Sequence, residues 1–495
     1  MTTGGMLSNS RVQSRGVTAA TALGIVLVLV VGALLARHQL ALSSYKSFYC
    51  AGKVLLEHGN PYLVEPLRTC EHRIYQSHDF PAYAVEPAPL PPYALAGFAL
   101  FALLPPGGSH AVYLVCLLAA LFLTVWALAS IAKFSPALVL LVCLPAWLLN
   151  AAYGEIPPVA VAAIALCGLA LSRNRPVAAA IAACVSMIEP HIGLPLCVAL
   201  FIFAARTRIV LLAGGLVAIA VSVLAVGIPA TAAYFSTYLP GQARSEIAAA
   251  DQYSLTNLLH MLHVPNGAAL ALGSLSYIVL AAAGIVAARS LSEHWNERAF
   301  IAFTPPAFVL FAGTFVHDIQ MFAAVPLALL ILAKRPGYVV AGLALALTAL
   351  VWDTGASRLS LVVDAAAIVG IVLLVFGAGA RAWPKAAALG IALLGAVVLF
   401  SRLPARAIGV SAAPASMQIS ANDSASVPWQ AYVTNTPVLA QPTLRSEGRK
   451  VPTWIGLALL ISLSLGMRQP KRAAAGIGAE RPHTEAAAAE RPLPG

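Results

Sequence analysis

Residues 43–71 read SSYKSFYCAGKVLLEHGNPYLVEPLRTCE, the first polar stretch after a hydrophobic span in a chain otherwise poor in charge. Aromatics, bases, acids and two cysteines gather there after an apolar run at residues 17–36, and almost everything beyond reads as membrane. Of 495 residues, 60% are hydrophobic and 10% charged, and the mean hydropathy is +0.84. A soluble globule of this size would have nothing to cover its surface with. The expected fold class is all-α, a polytopic integral membrane protein. A net charge of +11 would suggest nucleic acid in a soluble domain. Here the bases sit in short runs between apolar segments, the pattern of cytoplasmic anchors, so nucleic acid is discounted.

Charge orients the spans. Arg11 and Arg15 precede residues 17–36, a run too long for a signal-peptide core and followed by no cleavage site, so it is read as the first transmembrane helix. Residues 1–16 then lie in the cytoplasm and residues 37–109 outside. Residues 89–104 are apolar but number only about 16, near or below the span minimum. Crossing there would put Lys133, Arg173 and Arg175 outside, against the positive-inside rule, so a juxtamembrane helix is predicted instead. Residues 110–400 form the bundle. Within it, residues 176–205 are broken by Glu189, Pro190 and His191, which predicts two half-length helices in a hairpin. A second outer loop is expected at residues 229–265. Residues 401–452 show no helical period and are read as an outer loop, residues 453–467 as the last span and residues 468–495 as a disordered cytoplasmic tail. The total is about 12–14 transmembrane helices by span length.

On this topology Glu57, Glu65, Glu71, Asp79, Glu86, Glu155, Glu189, Asp251, Asp318 and Asp353 all fall on or near the outer side, with His317 beside Asp318. Ionisable groups at or within a membrane are costly unless they face a polar cavity or a partner, which makes them functional candidates. The competing reading is that each ends a helix or pairs locally. Cys50 and Cys70 flank a short stretch of a loop placed in an oxidising compartment, so a disulfide is predicted, worth about 3 kcal/mol in the chain-entropy model. Five further cysteines lie in apolar spans, as packing residues. Apolar residues at helical spacing predict an amphipathic helix at residues 45–58, ended by Gly59, Asn60 and Pro61, with Lys46, Lys53, Glu57 and the Tyr45 and Tyr49 hydroxyls facing an aqueous mouth. A pure membrane anchor is the alternative. There is no Rossmann fingerprint, P-loop or zinc-like Cys/His spacing.

Ser44, Tyr45, Lys46, Ser47, Phe48, Tyr49, Cys50, Ala51 and Gly52, followed by Leu55, Leu56, Gly59, Asn60, Pro61 and Tyr62, resemble the opening of glycosyltransferase family 87. In that family of membrane-embedded GT-C enzymes the early motif has the form Asp-Phe-x-x-Tyr-Tyr-x-Ala-Ala. Pro91, Pro92 and Tyr93 are similar to the family's juxtamembrane opening, and Gly154 to Pro158 stand where it tends to have Gly-Gln-x-Asn-Pro. The Glu189–Pro190–His191 break is similar to its Lys-Pro break, and Asp251 to Leu255 to its Asn-Gln-Ser-Leu. The resemblance implies transfer of a hexose, with mannose the expected sugar, from a polyprenyl-phosphate donor to an extracytoplasmic lipid or glycan acceptor at a bacterial plasma membrane. It implies no cofactor and no resident metal, and leaves the role of a divalent ion open.

The position matching the family acid is Ser44, which cannot act as a base near neutral pH. Either another outer carboxylate has taken over, with Asp79 and Glu86 the first candidates, or the chain is an inactive scaffold. The candidate substrate-binding set is Tyr45, Lys46, Tyr49, Arg68, Glu155, Glu189, His191, Asp251, His317 and Asp318, with Lys46, Arg68, Arg73 or His191 available to the departing phosphate. A transporter or flippase for a lipid-linked or small solute is the reading from another class, since broken helices with acids also mark transport sites.

Overall fold

The computed structural model describes residues 43–74, 81–352, 358–377, 382–404, 406, 418–436 and 442–467. The expected first span, the C-terminal tail, Asp79 and Asp353 lie outside the described residues. Within them the chain is all-α, with two isolated β-bridges and no strand.

The chain opens with α1 (Ser43–Leu56), α2 (Val64–Ile74) and the short α3 (Pro92–Phe101). Next come α4 (Pro106–Ala132), α5 (Pro136–Tyr153) and α6 (Pro157–Ser172), then the half-length α7 (Pro176–Ser186) and α8 (Pro190–Phe203). α9 (Arg208–Ala233), α10 (Leu239–Ser245), α11 (Leu255–Met261) and α12 (Asn266–Trp295) lead to α13 (Ala299–Phe308) and α14 (Val325–Lys334). The order ends with α15 (Val339–Ala349), α16 (Arg358–Phe376), α17 (Trp383–Ser401), α18 (Ser426–Asn435), α19 (Leu444–Gly448) and α20 (Lys450–Gly466).

Among the described residues, six stretches are long and apolar enough to cross a bilayer: Pro106–Ala132, Pro136–Tyr153, Ala205–Ser245, Asn266–Trp295, Leu359–Phe376 and Trp383–Ser401. Six shorter apolar helices accompany them, including α7 and α8 on either side of Glu189. The break follows from chemistry, since Pro190 cannot donate into a preceding turn. The two halves then lie side by side, with Cys197 Sγ 3.4 Å from the Ala183 carbonyl.

Burial sorts the helices into rim and centre. Along Ala205–Ser245 only 6% of the most apolar window is buried, and Leu212, Leu216, Ile219 and Leu224 point outward, an apolar face suited to lipid. α13, α14 and the turn between them are enclosed instead: Phe300, Phe303, Phe308 and, on the turn, Phe322 are each 1% exposed or less. Between them the helix ends at Phe311 and the backbone is irregular until a 3-10 turn at Asp318–Ala324. Irregular backbone is tolerated in a membrane protein where other protein covers it. This central pair therefore carries His317 and Asp318 on its connecting turn, between buried helices.

α1 does not lie as an exposed amphipathic helix. Gly52 lets it press onto α3 so closely that a Cβ there would sit 2.5 Å from the Phe98 carbonyl carbon. Tyr45 and Tyr49 are 2% and 6% exposed, among Phe98, Phe101 and Tyr113. Their hydroxyls bond to Ser109 and to the Leu104 carbonyl, so they do not face an aqueous mouth. The amphipathic pattern was correct for Lys53 and Glu57, which pair on the exposed side. What it missed is a second apolar partner covering the tyrosines.

Two expected loops are largely helical. α9 bends at Gly227 (φ 79) but continues beyond Pro229 through Tyr234–Tyr238 into α10, because Tyr234 donates to the Pro89 carbonyl and Asn60 donates to the Tyr238 hydroxyl. Residues 401–452, without a helical period, still form α18 and α19. Backbone bonds from Val64 to the Asp423 carbonyl and from Ala425 to the Tyr62 carbonyl hold that region on the α1–α2 connection. Cys50 and Cys70 are bonded, with Cα atoms 5.6 Å apart.

Candidate active site

Ionisable side chains from several elements converge at one end of the bundle. α5 closes on Gly154, whose left-handed backbone (φ 74) turns the chain so that Glu155 N–H donates to the Asn150 carbonyl at 2.9 Å. Tyr113 donates to the Glu155 carbonyl at 3.0 Å, and Pro157 and Pro158 start the next helix at once. The Glu155 side chain hydrogen-bonds to Ser44 on α1. Burial raises its pKa to about 8, opposed by the Ser44 bond; Glu86 and Glu189 add to the rise and His317 opposes it.

The turn after α13 is built on glutamines. Gln252 Oε1 accepts from Val316 N–H at 2.9 Å, and Gln320 Oε1 accepts from His317 N–H at 3.0 Å. Gln320 Nε2 then donates to Glu189 Oε1 at 2.8 Å, joining the tip of the α7–α8 hairpin to this turn. Asn150 Nδ2 donates to the Ile319 carbonyl at 3.0 Å and joins the Glu155 turn to it.

His317 Nδ1 lies 3.2 Å from Asp251 Oδ2. Burial opposes a charge on the ring, but Asp251, with Glu246 and Asp318 behind it, raises its pKa to about 10. His317 is therefore an imidazolium at neutral pH. In return it holds the Asp251 carboxyl below the usual range despite desolvation. Glu246 is pushed up by burial, against the pull of His317; Trp429 Nε1 and Gln242 Nε2 both donate to its Oε1. Burial raises Asp318 to about 6, Asp251 adding to it and Arg449 opposing. Behind the cluster, fully buried Lys450 donates to Asn257 Oδ1 at 2.9 Å and pairs with Glu447 at 2.8 Å.

Ligand atoms of Glu246, Asp251 and His317 lie within 4.8 Å of one another, a spacing a divalent ion would accept. Those groups are already engaged, with His317 charged against Asp251 and Glu246 taking two donors. In the arrangement seen here the three side chains are joined by ion-pair and hydrogen-bond contacts.

Of the residues singled out in the sequence, the cluster takes in Ser44, Glu155, Glu189, Asp251, His317 and Asp318. Glu86 adjoins it through its electrostatic effect on Glu155, while its N–H donates to Glu71 Oε2 at 3.0 Å. Lys46 is half-buried on α1. Tyr45 and Tyr49 belong to the packed layer described above. Arg68 is committed to Glu65 at 2.7 Å. His191 packs on Tyr277 with Nε2 3.0 Å from the Val309 carbonyl, so it serves helix packing. Glu246, Trp429, Arg449 and Lys450 were not anticipated. Charged residues inside a Ser/Pro-rich segment, at Glu447, Arg449 and Lys450, were the available signal.

Residues 90–312 match the family model of glycosyltransferase family 87, and the match supports the family that the motifs from Ser44 onward resemble. With the spans, it supports a multi-pass membrane glycosyltransferase. No curated protein and no solved structure matches the chain.

Proposed function

We propose, with that family match as premise, that the protein transfers a hexose from a polyprenyl-phosphate donor to a lipid or glycan acceptor on the outer side of a bacterial plasma membrane, with inversion at the anomeric carbon. The observation that carries this reading is the meeting of Glu155, Glu189, Glu246, Asp251, His317 and Asp318 from separate elements at one end of an otherwise apolar bundle.

The chemistry needs little else. A carboxylate takes the proton of the acceptor hydroxyl as its oxygen attacks the anomeric carbon. A cation stabilises the phosphate as the bond to it breaks, the part assigned here to the His317 imidazolium, with Arg449 close to the same acids. A lipid-borne donor enters from the bilayer, so no nucleotide-binding domain is required. A small cleft beside Asp318, walled by Ala146, Leu149, Tyr253 and Met321, offers apolar surface next to the acids.

Membranes containing the protein, incubated with radiolabelled polyprenyl-phosphate mannose or other polyprenyl-phosphate hexoses, should form labelled lipid or glycan product that membranes lacking it do not. Absence of product with every donor would end this reading and favour transport.

A further inference from the structure

We propose that Glu155 is the general base of this site, receiving the acceptor proton at a place where its neighbour on α1, Ser44, carries no charge. The assignment rests on the transferase reading above and names the group that reading leaves open.

Backbone geometry fixes Glu155 from both sides. Gly154 reverses the chain, Glu155 N–H is bonded to Asn150, its carbonyl accepts from Tyr113, and Pro157 and Pro158 stiffen the first turn of α6. Asn150 also ties this turn to the His317 turn, so the base and the cation share one platform.

The neighbouring acids are each committed to a partner that holds the fold together. Asp251 faces an imidazolium, Glu246 accepts from an indole and an amide, Glu189 accepts from Gln320, and Asp318 accepts from the Ile319 N–H. Glu155 has a neutral hydroxyl as its side-chain hydrogen-bond partner, so it keeps affinity for a proton. In the step, the acceptor O–H proton moves to the Glu155 carboxylate, the acceptor oxygen bonds to the anomeric carbon, and the carbon–oxygen bond to phosphate breaks. The electron pair leaves with polyprenyl phosphate.

The test compares wild type, Glu155→Gln and Ser44→Asp/Glu155→Gln in membranes with radiolabelled polyprenyl-phosphate mannose, reading transfer, donor binding and pH profile. Glu155→Gln should lower transfer about 10²–10⁴-fold with donor binding kept. The double variant, which moves the carboxylate across the same contact, should regain at least about tenfold over the single one. Wild-type transfer should rise with pH as Glu155 ionises among Ser44, Glu86, Glu189 and His317, and the double variant should lose that alkaline rise. Glu155→Gln within threefold of wild type, or no rescue while the variant still binds donor, overturns the assignment alone. A wild type inactive with every polyprenyl-phosphate hexose sinks the transferase reading and this assignment with it.

Discussion

Where the α6–α7, α12–α13 and α14–α15 turns meet, Arg298 donates to Asn174 Oδ1, while Ser172 and Lys334 share the Glu297 carboxylate. Arg173, Arg175, Arg298 and Arg335 there are exposed and lie against water or headgroups. At the opposite end the acids are buried or half-buried, and Glu189, Glu246 and Asp251 each meet a partner from a distant part of the chain. Bases at the first end act by count and sidedness, since exposed pairs contribute little individually. Acids at the second end persist only because the fold supplies partners, and their protonation is set by geometry.

That contrast can be broken in order of expected size. Lys450→Met leaves Glu447 buried without its cation, and unfolding in detergent should show a loss of about 3–5 kcal/mol. A melting temperature unchanged from wild type would mean the acid end is not held by buried pairing. His317→Ala should lower transfer about 10²–10³-fold, the scale for losing one preorganised electrostatic group. Equal loss from Arg298→Ala would erase the distinction between the ends. Cys50→Ser should cost about 3 kcal/mol, read by the same unfolding assay and mimicked by reductant.

A smaller, pH-dependent effect is expected at Glu71, a buried carboxyl raised well above its ordinary value by desolvation and by Glu86. The folded form binds this proton more tightly than the unfolded chain does, so its stabilisation is complete below the ordinary glutamate pKa. It is lost as pH rises through the raised value. Glu71→Gln should flatten that decline, and a variant that still loses stability with pH as wild type does would place the titration elsewhere. Smallest of all, Lys334→Ala should change stability by less than about 1 kcal/mol and leave transfer unaltered.

Some of this was legible residue by residue. The half-length helices at Glu189–Pro190, the short α3 and the gathering of acids with His317 on one side come from proline chemistry, span length and charge placement. The tyrosines of α1 were misjudged because one apolar face was visible in the pattern, whereas Phe98, Phe101 and Tyr113 covering the other were not. Glu246 and Trp429 were missed because they meet across 183 residues, and a segment without period gave no reason to expect α18.

The sequence alone determined an all-α membrane bundle and the uneven placement of its charges, because hydropathy and charge act on each segment against the bilayer whatever its neighbours. Which acids became partners, which carboxyl came to lie beside Ser44, and why the pKa of His317 is raised were decided only by tertiary structure. Proton affinity depends on donors a few ångströms away in space, and those donors come from anywhere in the chain.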